Sequence, residues 1–322
     1  MSQRNARKWK VLCNDELWFE RDTVLEPLAD IATIDHKEAR YDLLLETIGE
    51  YDAYYASASV KTDKRVLNMA KQLKVIATPS TGTDHIDVDA ARAKGITILD
   101  LAKEFELLDT FSATAEHAWC LLLALVRNLP ASFEATKNGH WERQKYAGVQ
   151  LMGKTLGVLG YGRLGRMVAE IGRGFRMNVI ACDIKKITTG GIRQVDFNTL
   201  LSESDVLSVH IHLTRATRSM LSKDAFARMK RGILVINTSR GALIDESALL
   251  EALRSKQVAG AGLDVIHGEW SENLREHPLI EYARKHDNLI ITPHIGGSTL
   301  ESIVGARKFM AQKLADYLAS LT

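Results

Sequence analysis

Three side chains able to do acid–base or anion chemistry follow apolar runs in the last third of this 322-residue sequence. Arg240 comes after "GILVINT", Glu269 stands five residues beyond Asp264 of "GLDV", and His294 comes after "NLIIT". An arginine can hold a carboxylate bidentately and polarise a neighbouring carbonyl oxygen. A histidine can give or take a proton near neutral pH, and a carboxylate beside it favours the charged imidazole and fixes the ring. Singly, each residue has an ordinary alternative: a surface ion pair for Arg240, a solvated loop carboxylate for Glu269, a satisfied structural histidine for His294. Their recurrence at successive strand ends makes chance the poorer account.

Such residues need an element that presents a reaction partner to them. The segment "KTLGVLGYGRLGRMVAE" holds Gly160, Gly162 and Gly165 in a GxGxxG frame, and a sequence with 22 glycines can produce that frame by accident. Its context is more specific. The frame follows a strand pattern, opens a helix pattern, and precedes a second strand that ends at Asp183, 18 residues after Gly165. Gly160 then permits the tight turn, Gly162 lets the backbone approach a pyrophosphate, and Gly165 allows close helix-to-strand packing, while the helix start offers free N–H groups to the anion. Asp183 is placed to accept hydrogen bonds from the adenosine ribose. A carboxylate there also repels a 2′-phosphate, favouring NAD over NADP, although Lys185 and Lys186 weaken that preference.

The wider chain supplies the scaffold. Short β-branched runs alternate with helical patterns almost from end to end, which implies parallel sheets with helices on their faces. "WKVLC", "IATI", "DAYYAS", "LKVIATPS" and "ITILD" give a five-stranded, flavodoxin-like first domain. Residues 111–130 read as one long helix that ends at Pro130 and links to a second series of six strand candidates, apolar throughout as a doubly covered sheet requires. The final segment from Ser298 is an amphipathic helix expected to return to the first domain and leave a cleft.

Composition narrows the function classes. The chain is 46% hydrophobic, enough for two cores, and its 42 basic residues nearly balance 40 acidic ones without clustering, so neither nucleic acid nor a membrane surface is the expected partner. The three cysteines are far apart and read as reduced core thiols of a cytoplasmic protein. The N-terminus lacks the apolar stretch of a secretion signal, and "AWCLLLALV" is too short to span a bilayer. His210 and His212 alternate on one strand, but no carboxylate or cysteine sits nearby at ligand spacing, so no metal is expected.

Several segments together resemble one family. "STGTDHIDV" at 80–88, "TAEHAW" at 114–119, "GKTLGVLGYGRLGR" at 153–166, "INTSRGALIDESAL" at 236–249, "GLDV" with Glu269, and "TPHIGGST" at 292–299 are similar to the D-isomer-specific 2-hydroxyacid dehydrogenases, which include phosphoglycerate dehydrogenases and glyoxylate/hydroxypyruvate reductases. The resemblance covers nearly the whole chain. It implies an NAD-dependent oxidoreductase acting on a CH–OH group, built from a flavodoxin-like substrate domain (1–110 plus 298–322) and a Rossmann NAD-binding domain (111–297), and working as a homodimer.

The resemblance implies that Arg240, Glu269 and His294 are catalytic. It implies cofactor contacts at Gly160, Gly162, Arg163, Leu164, Gly165, Asp183, His210, Thr217, Thr238, Ser239, Arg240, Asp264, His294, Gly296 and Gly297. The substrate would meet Arg240, Gly82 and the loop of Ser57, Ala58 and Ser59, whose backbone N–H groups would hold a carboxylate. Phosphoglycerate dehydrogenases commonly carry an arginine in that loop, so a phosphorylated substrate is less secure here. His85, His117 and Trp119 are expected to be structural, and Trp270, where proline is frequent, is expected not to touch the proton chemistry. The 99–113 segment looks longer than usual, and no C-terminal regulatory domain is expected after the last helix. The family also contains corepressor-like proteins that bind NAD(H) and act by dimerising, which keeps a non-catalytic alternative open.

Overall fold

A computed structural model describes residues 8–14, 21–188, 191–271 and 273–322; the charged start of the chain, 1–7, lies outside the described residues. The chain forms two units, Met1–Phe111 with Thr299–Thr322, and Ser112–Ser298.

In the first unit, strands β1 (Trp9–Cys13), β2 (Ala32–His36), β3 (Ala53–Tyr55), β4 (Val75–Ala77) and β5 (Thr97–Leu99) form a parallel sheet in the order β2-β1-β3-β4-β5. This is the flavodoxin-like order. Strand periodicity sends Val11, Cys13, Tyr55 and Val75 into one core and Leu12, Tyr54 and Ile76 into another, so both faces are covered. The C-terminal helix, Leu300–Ala319, lies on the first of these faces: Met310, Leu314 and Leu318, four residues apart, are fully buried. Burying each such side chain contributes about 1.5–3 kcal/mol. Thr299 caps this helix by accepting the N–H of Ser302. The 99–113 segment is no open loop. Its short helix, Phe105–Asp109, buries Leu108, and Lys313 of the C-terminal helix donates to the Asp100 carbonyl at 2.9 Å.

The second unit is built on a seven-stranded parallel sheet: β6 (Thr155–Leu159), β7 (Asn178–Cys182), β8 (Arg193–Gln194), β9 (Val206–Val209), β10 (Ile233–Asn237), β11 (Val258–Leu263) and β12 (Leu289–Ile291), in the order β12-β11-β10-β9-β6-β7-β8. The order reverses at β6, where β7 lies to one side and β9 to the other. That reversal is where doubly wound sheets bind ligands, beyond the strands' carboxyl ends. The short exposed strand β8 escapes a search for apolar runs because its residues are Arg193 and Gln194.

Residues 111–130 do not form one helix. A first helix, Ala113–Val126, stops at Arg127; Asn128 takes a left-handed conformation (φ 51°) and a second helix, Leu129–Lys137, begins with Pro130 in its first turn. Proline cannot continue a helix from the preceding turn, but its missing N–H costs nothing at the start of a new one. The first helix packs closely on β11: a side chain at Gly262 would bring its Cβ to 2.9 Å from Leu121 Cβ. The three cysteines are free. Cys13 is buried as expected, but Cys120 lies on the exposed side of its helix despite the apolar run around it. Among the described residues, no helix is long and apolar enough to cross a membrane.

Candidate active site

At the sheet's reversal, the glycine frame makes the turn that its spacing suggests. Gly160 has φ 92°, a conformation that disfavours side chains, and any Cβ there would lie 2.5 Å from the His210 carbonyl oxygen. A Cβ on Gly165 would collide with the Gly160 carbonyl oxygen, so the helix Arg163–Gly174 can start this close to β6 only through glycine. Gly162 faces open space at the helix start. Arg163 is the first residue of that helix, and half-buried Leu164 packs into the core beneath it.

Asp183, one residue beyond β7, accepts the N–H of Tyr161 at 2.7 Å and that of Lys185 at 2.8 Å. A carboxylate offers about four acceptor sites, so this one ties the turn together and still has capacity for two hydroxyls. On the neighbouring strand ends, the Thr238 hydroxyl and His210 Nδ1 are buried with no hydrogen-bond partner among the described residues. Burial pushes the His210 imidazole down to about 4, so it is neutral at physiological pH, with Nε2 at 2.7 Å from the Ser208 hydroxyl. An open helix start, a carboxylate with spare acceptor sites and two orphaned polar atoms fit a dinucleotide.

Other predicted contacts are engaged within the chain. The Thr217 hydroxyl donates to the His212 carbonyl at 2.7 Å, closing the turn after β9. Ser239 donates its hydroxyl to Val209 O at 2.7 Å and its N–H to Asn237 Oδ1 at 3.0 Å. Asn237, fully buried and absent from the sequence reading, also donates from Nδ2 to Arg240 O at 2.9 Å, so one amide holds both ends of the 238–240 loop. The signal was present in "NTSRG": asparagine commonly bonds backbone a few residues on. Arg240 directs one guanidinium N–H to Ser239 O at 2.8 Å. Behind it, a Cβ on Gly241 would meet His267 N and Ile266, so the loops after β10 and β11 run against each other.

His294 and Glu269 come together as proposed from their types: Nδ1 lies 2.7 Å from Glu269 Oε1. A carboxylate only accepts, so the Nδ1 proton belongs to this bond and Nε2 is the end available for exchange. The imidazole keeps 32% of its surface exposed, against 18% for the Glu269 side chain. Glu269 is itself held by the Ile266 N–H, 3.2 Å from Oε2.

Although Gly296 and Gly297 lie in this turn, the left-handed residue is His294 itself, with φ 55°. Gly296 is needed for close approach, since a Cβ there would sit 2.9 Å from Asp264 Oδ2. Asp264, 1% exposed, organises the segment: it accepts the Thr292 hydroxyl at 2.6 Å, the Ile295 N–H at 2.9 Å and the Gly296 N–H at 2.7 Å, while its own carbonyl takes the His294 N–H at 2.9 Å. Burial pushes its carboxyl up, but hydrogen bonds from His117, Thr292, Ile295 and Gly296 outweigh that and hold it below its ordinary range. Trp270 departs from expectation. Its ring stacks beside His294, centroids 5.9 Å apart and planes 26° apart, so it borders that imidazole.

In the first unit, the 56–62 loop has fewer available donors than expected. The Ser57 N–H goes to Asn14 Oδ1 at 2.9 Å and the Ser59 N–H to Ser57 Oγ at 3.2 Å. Of these three residues, exposed Ala58 is the one whose N–H has no acceptor among the described residues. The Gly82 carbonyl accepts the Ser80 hydroxyl. His85 Nε2 lies 3.2 Å from the Thr78 hydroxyl, and Trp119 stacks on Phe175 at 4.7 Å. Among the described residues, no group of three His, Cys, Asp or Glu could hold a metal ion.

Comparison with known proteins places this geometry. Residues 119–296 match the family model described as D-isomer specific 2-hydroxyacid dehydrogenase, NAD binding domain. A hydroxypyruvate reductase of Thermotoga maritima is 36% identical over 300 residues, covering 92% of this chain and 94% of that protein. A D-3-phosphoglycerate dehydrogenase of Archaeoglobus fulgidus is 37% identical over 282 residues, 86% of this chain but 51% of the relative. The chain thus spans about half the length of the phosphoglycerate dehydrogenases it matches. The D-lactate dehydrogenase of Aquifex aeolicus, solved with NAD and lactic acid, is similar at a TM-score of 0.86 and 27% identity, covering 97% of this chain and 96% of that one. With its turn at β6, its paired strand-end residues and these likenesses, the chain belongs to the D-isomer-specific 2-hydroxyacid dehydrogenase family and carries that family's NAD-binding domain.

Proposed function

We propose that the protein reversibly reduces a small 2-oxo acid to the D-2-hydroxy acid with NADH, with His294, Glu269 and Arg240 as the catalytic set. The observation that carries this reading is the His294–Glu269 pair at 2.7 Å, presented beyond β12 of a sheet whose β6 turn fits a dinucleotide. In this reading 112–298 binds NAD and the 1–111 unit, with the C-terminal helix, binds substrate. Gly160, Gly162, Gly165 and Asp183 hold the pyrophosphate and ribose, and Thr238, His210 and Asp264 border the rest of the cofactor.

Bound NADH supplies the hydride that adds to C2 of the oxo acid. The doubly protonated His294 gives its Nε2 proton to the carbonyl oxygen as that oxygen gains charge, and takes it back in the oxidation direction. Glu269 keeps the Nδ1 proton in place throughout and stabilises the imidazolium before transfer. Arg240 binds the carboxylate and polarises the carbonyl oxygen. In the 56–62 loop, Ala58 N–H and the Ser57 and Ser59 hydroxyls meet the substrate's other end. With no arginine there, hydroxypyruvate or glyoxylate suits the loop better than a phosphorylated acid.

The reading extends to a cytoplasmic homodimer with no nucleic-acid or membrane partner, consistent with the balanced, scattered charge. The test is NADH oxidation with glyoxylate, hydroxypyruvate, 3-phosphohydroxypyruvate and pyruvate. Turnover with at least one, fastest with an unphosphorylated acid, is expected. NADH binding without turnover on any of the four would instead support the corepressor-like alternative.

A further inference from the structure

A second histidine lies behind the His294 turn. His117, on the Ala113–Val126 helix, places Nε2 at 2.8 Å from the Thr292 hydroxyl and 3.3 Å from Asp264 Oδ1; its side chain is 15% exposed. The proton arrangement follows from a count. Thr292 has one hydroxyl hydrogen, and Asp264, already accepting two backbone N–H groups, is an ionised acceptor, so that hydrogen goes to Asp264 at 2.6 Å. The Thr292 oxygen must then accept from His117, which carries its proton on Nε2. A donor relay runs from His117 to Thr292 to Asp264, and Asp264 in turn fixes the N–H groups of Ile295 and Gly296, the two residues after His294.

This matters because His294 is left-handed, a conformation uncommon for a non-glycine residue. Asp264 imposes it from both sides, through its carbonyl on the His294 N–H and its carboxylate on the next two N–H groups. The side chains that in turn orient the Asp264 carboxylate are Thr292 and His117. His117 is anchored on a helix that packs closely against β11, the strand leading into Asp264.

We propose that His117 is a positioning residue for the acid–base step: by donating from Nε2 to Thr292 and Asp264 it sets the turn that keeps His294 in line with Glu269. This rests on the reading of His294 as the proton donor. The test compares His117→Leu, which removes the donor, with His117→Gln, whose amide can donate at similar reach, in the full chain. With NADH and hydroxypyruvate or glyoxylate, His117→Leu is expected to lower kcat about tenfold with little change in the KM for NADH, and His117→Gln to recover most of it. In the cofactor-free protein, amide exchange at Ile295 and Gly296 is expected to speed up about tenfold in His117→Leu and to return toward the original rate in His117→Gln.

Unchanged kcat and unchanged exchange in His117→Leu would overturn the proposal. So would equal losses in both variants accompanied by a general fall in Tm, since that marks packing alone. Should His294→Ala retain turnover, the acid–base reading would fail by itself while the exchange result at Ile295 and Gly296 still reported on the relay.

Discussion

The turn at 160–165 and the turn at 292–297 both leave the carboxyl end of a strand in the seven-stranded sheet, and both are glycine-rich, with three glycines in the first and two in the second. In the first, shape sets the backbone: Gly160 takes the positive φ, and Gly165 lets the helix start against the Gly160 carbonyl. In the second, polarity sets it: His294 takes the positive φ, held by hydrogen bonds that converge on the buried Asp264 carboxylate. A turn that must admit a pyrophosphate needs bare backbone. A turn that must aim one imidazole needs its side chain, and accepts the strain because a charged acceptor compensates for it.

This contrast can be broken experimentally. The largest effect is expected at His294. His294→Asn keeps a residue that tolerates the left-handed conformation but cannot exchange a proton, so kcat should fall about 10²–10⁴-fold while NADH binding, followed by fluorescence, persists. Near-original turnover would remove His294 from proton transfer. Gly165→Val should do the reverse. Its side chain forces the helix away from β6, and NADH affinity should drop by about two orders of magnitude, or the unit should lose stability in thermal melts by an amount in the range of overpacked cores, about 1–3 kcal/mol. Tight NADH binding by that variant would show that close packing there is dispensable.

Asp264→Asn sharpens the electrostatic side. The carboxyl of Asp264 is held below its ordinary value, so its stabilising contribution is present above the unfolded pKa of about 3.9 and is lost as pH falls through the lower folded value. The variant should therefore melt below the original protein at neutral pH, with kcat reduced about tenfold, and the difference in Tm should shrink as the pH drops below about 4. A Tm difference that stayed constant across that range would count against charge as the organising force. The smallest effect is expected from Asp183→Ala, which should narrow the preference for NAD over NADP about tenfold, measured as a ratio of kcat/KM values. Unchanged selectivity would leave Asp183 with only its bonds to Tyr161 and Lys185.

The same contrast explains what could be read in advance. The glycine frame was legible because the strand before it, the helix after it and Asp183 all lie within one stretch of chain. The left-handed His294 was not legible for the opposite reason: the sequence shows two flexible residues beside it, Gly296 and Gly297, but the conformation is held by Asp264, which follows another strand far upstream. Pro130 misled similarly, because a proline that cannot end up inside a helix is equally at home opening the next one. Strand β8 carried no apolar pattern to find, and Trp270 looked peripheral until the 264–270 loop folded its ring beside His294.

By itself the sequence determined the alternation of strands and helices, the place of the dinucleotide turn, and which strand ends carry an arginine, a glutamate and a histidine. These follow from local periodicity and from residue types whose chemistry needs no partner to be recognised. Only the tertiary structure decided which of them meet. Glu269 reaches His294 because β11 and β12 pair in the register Leu263↔Ile291, and His117 reaches Thr292, 175 residues away, because its helix packs down on the glycines of β11. Register and packing are properties of surfaces brought together from distant parts of the chain, and no local pattern encodes them.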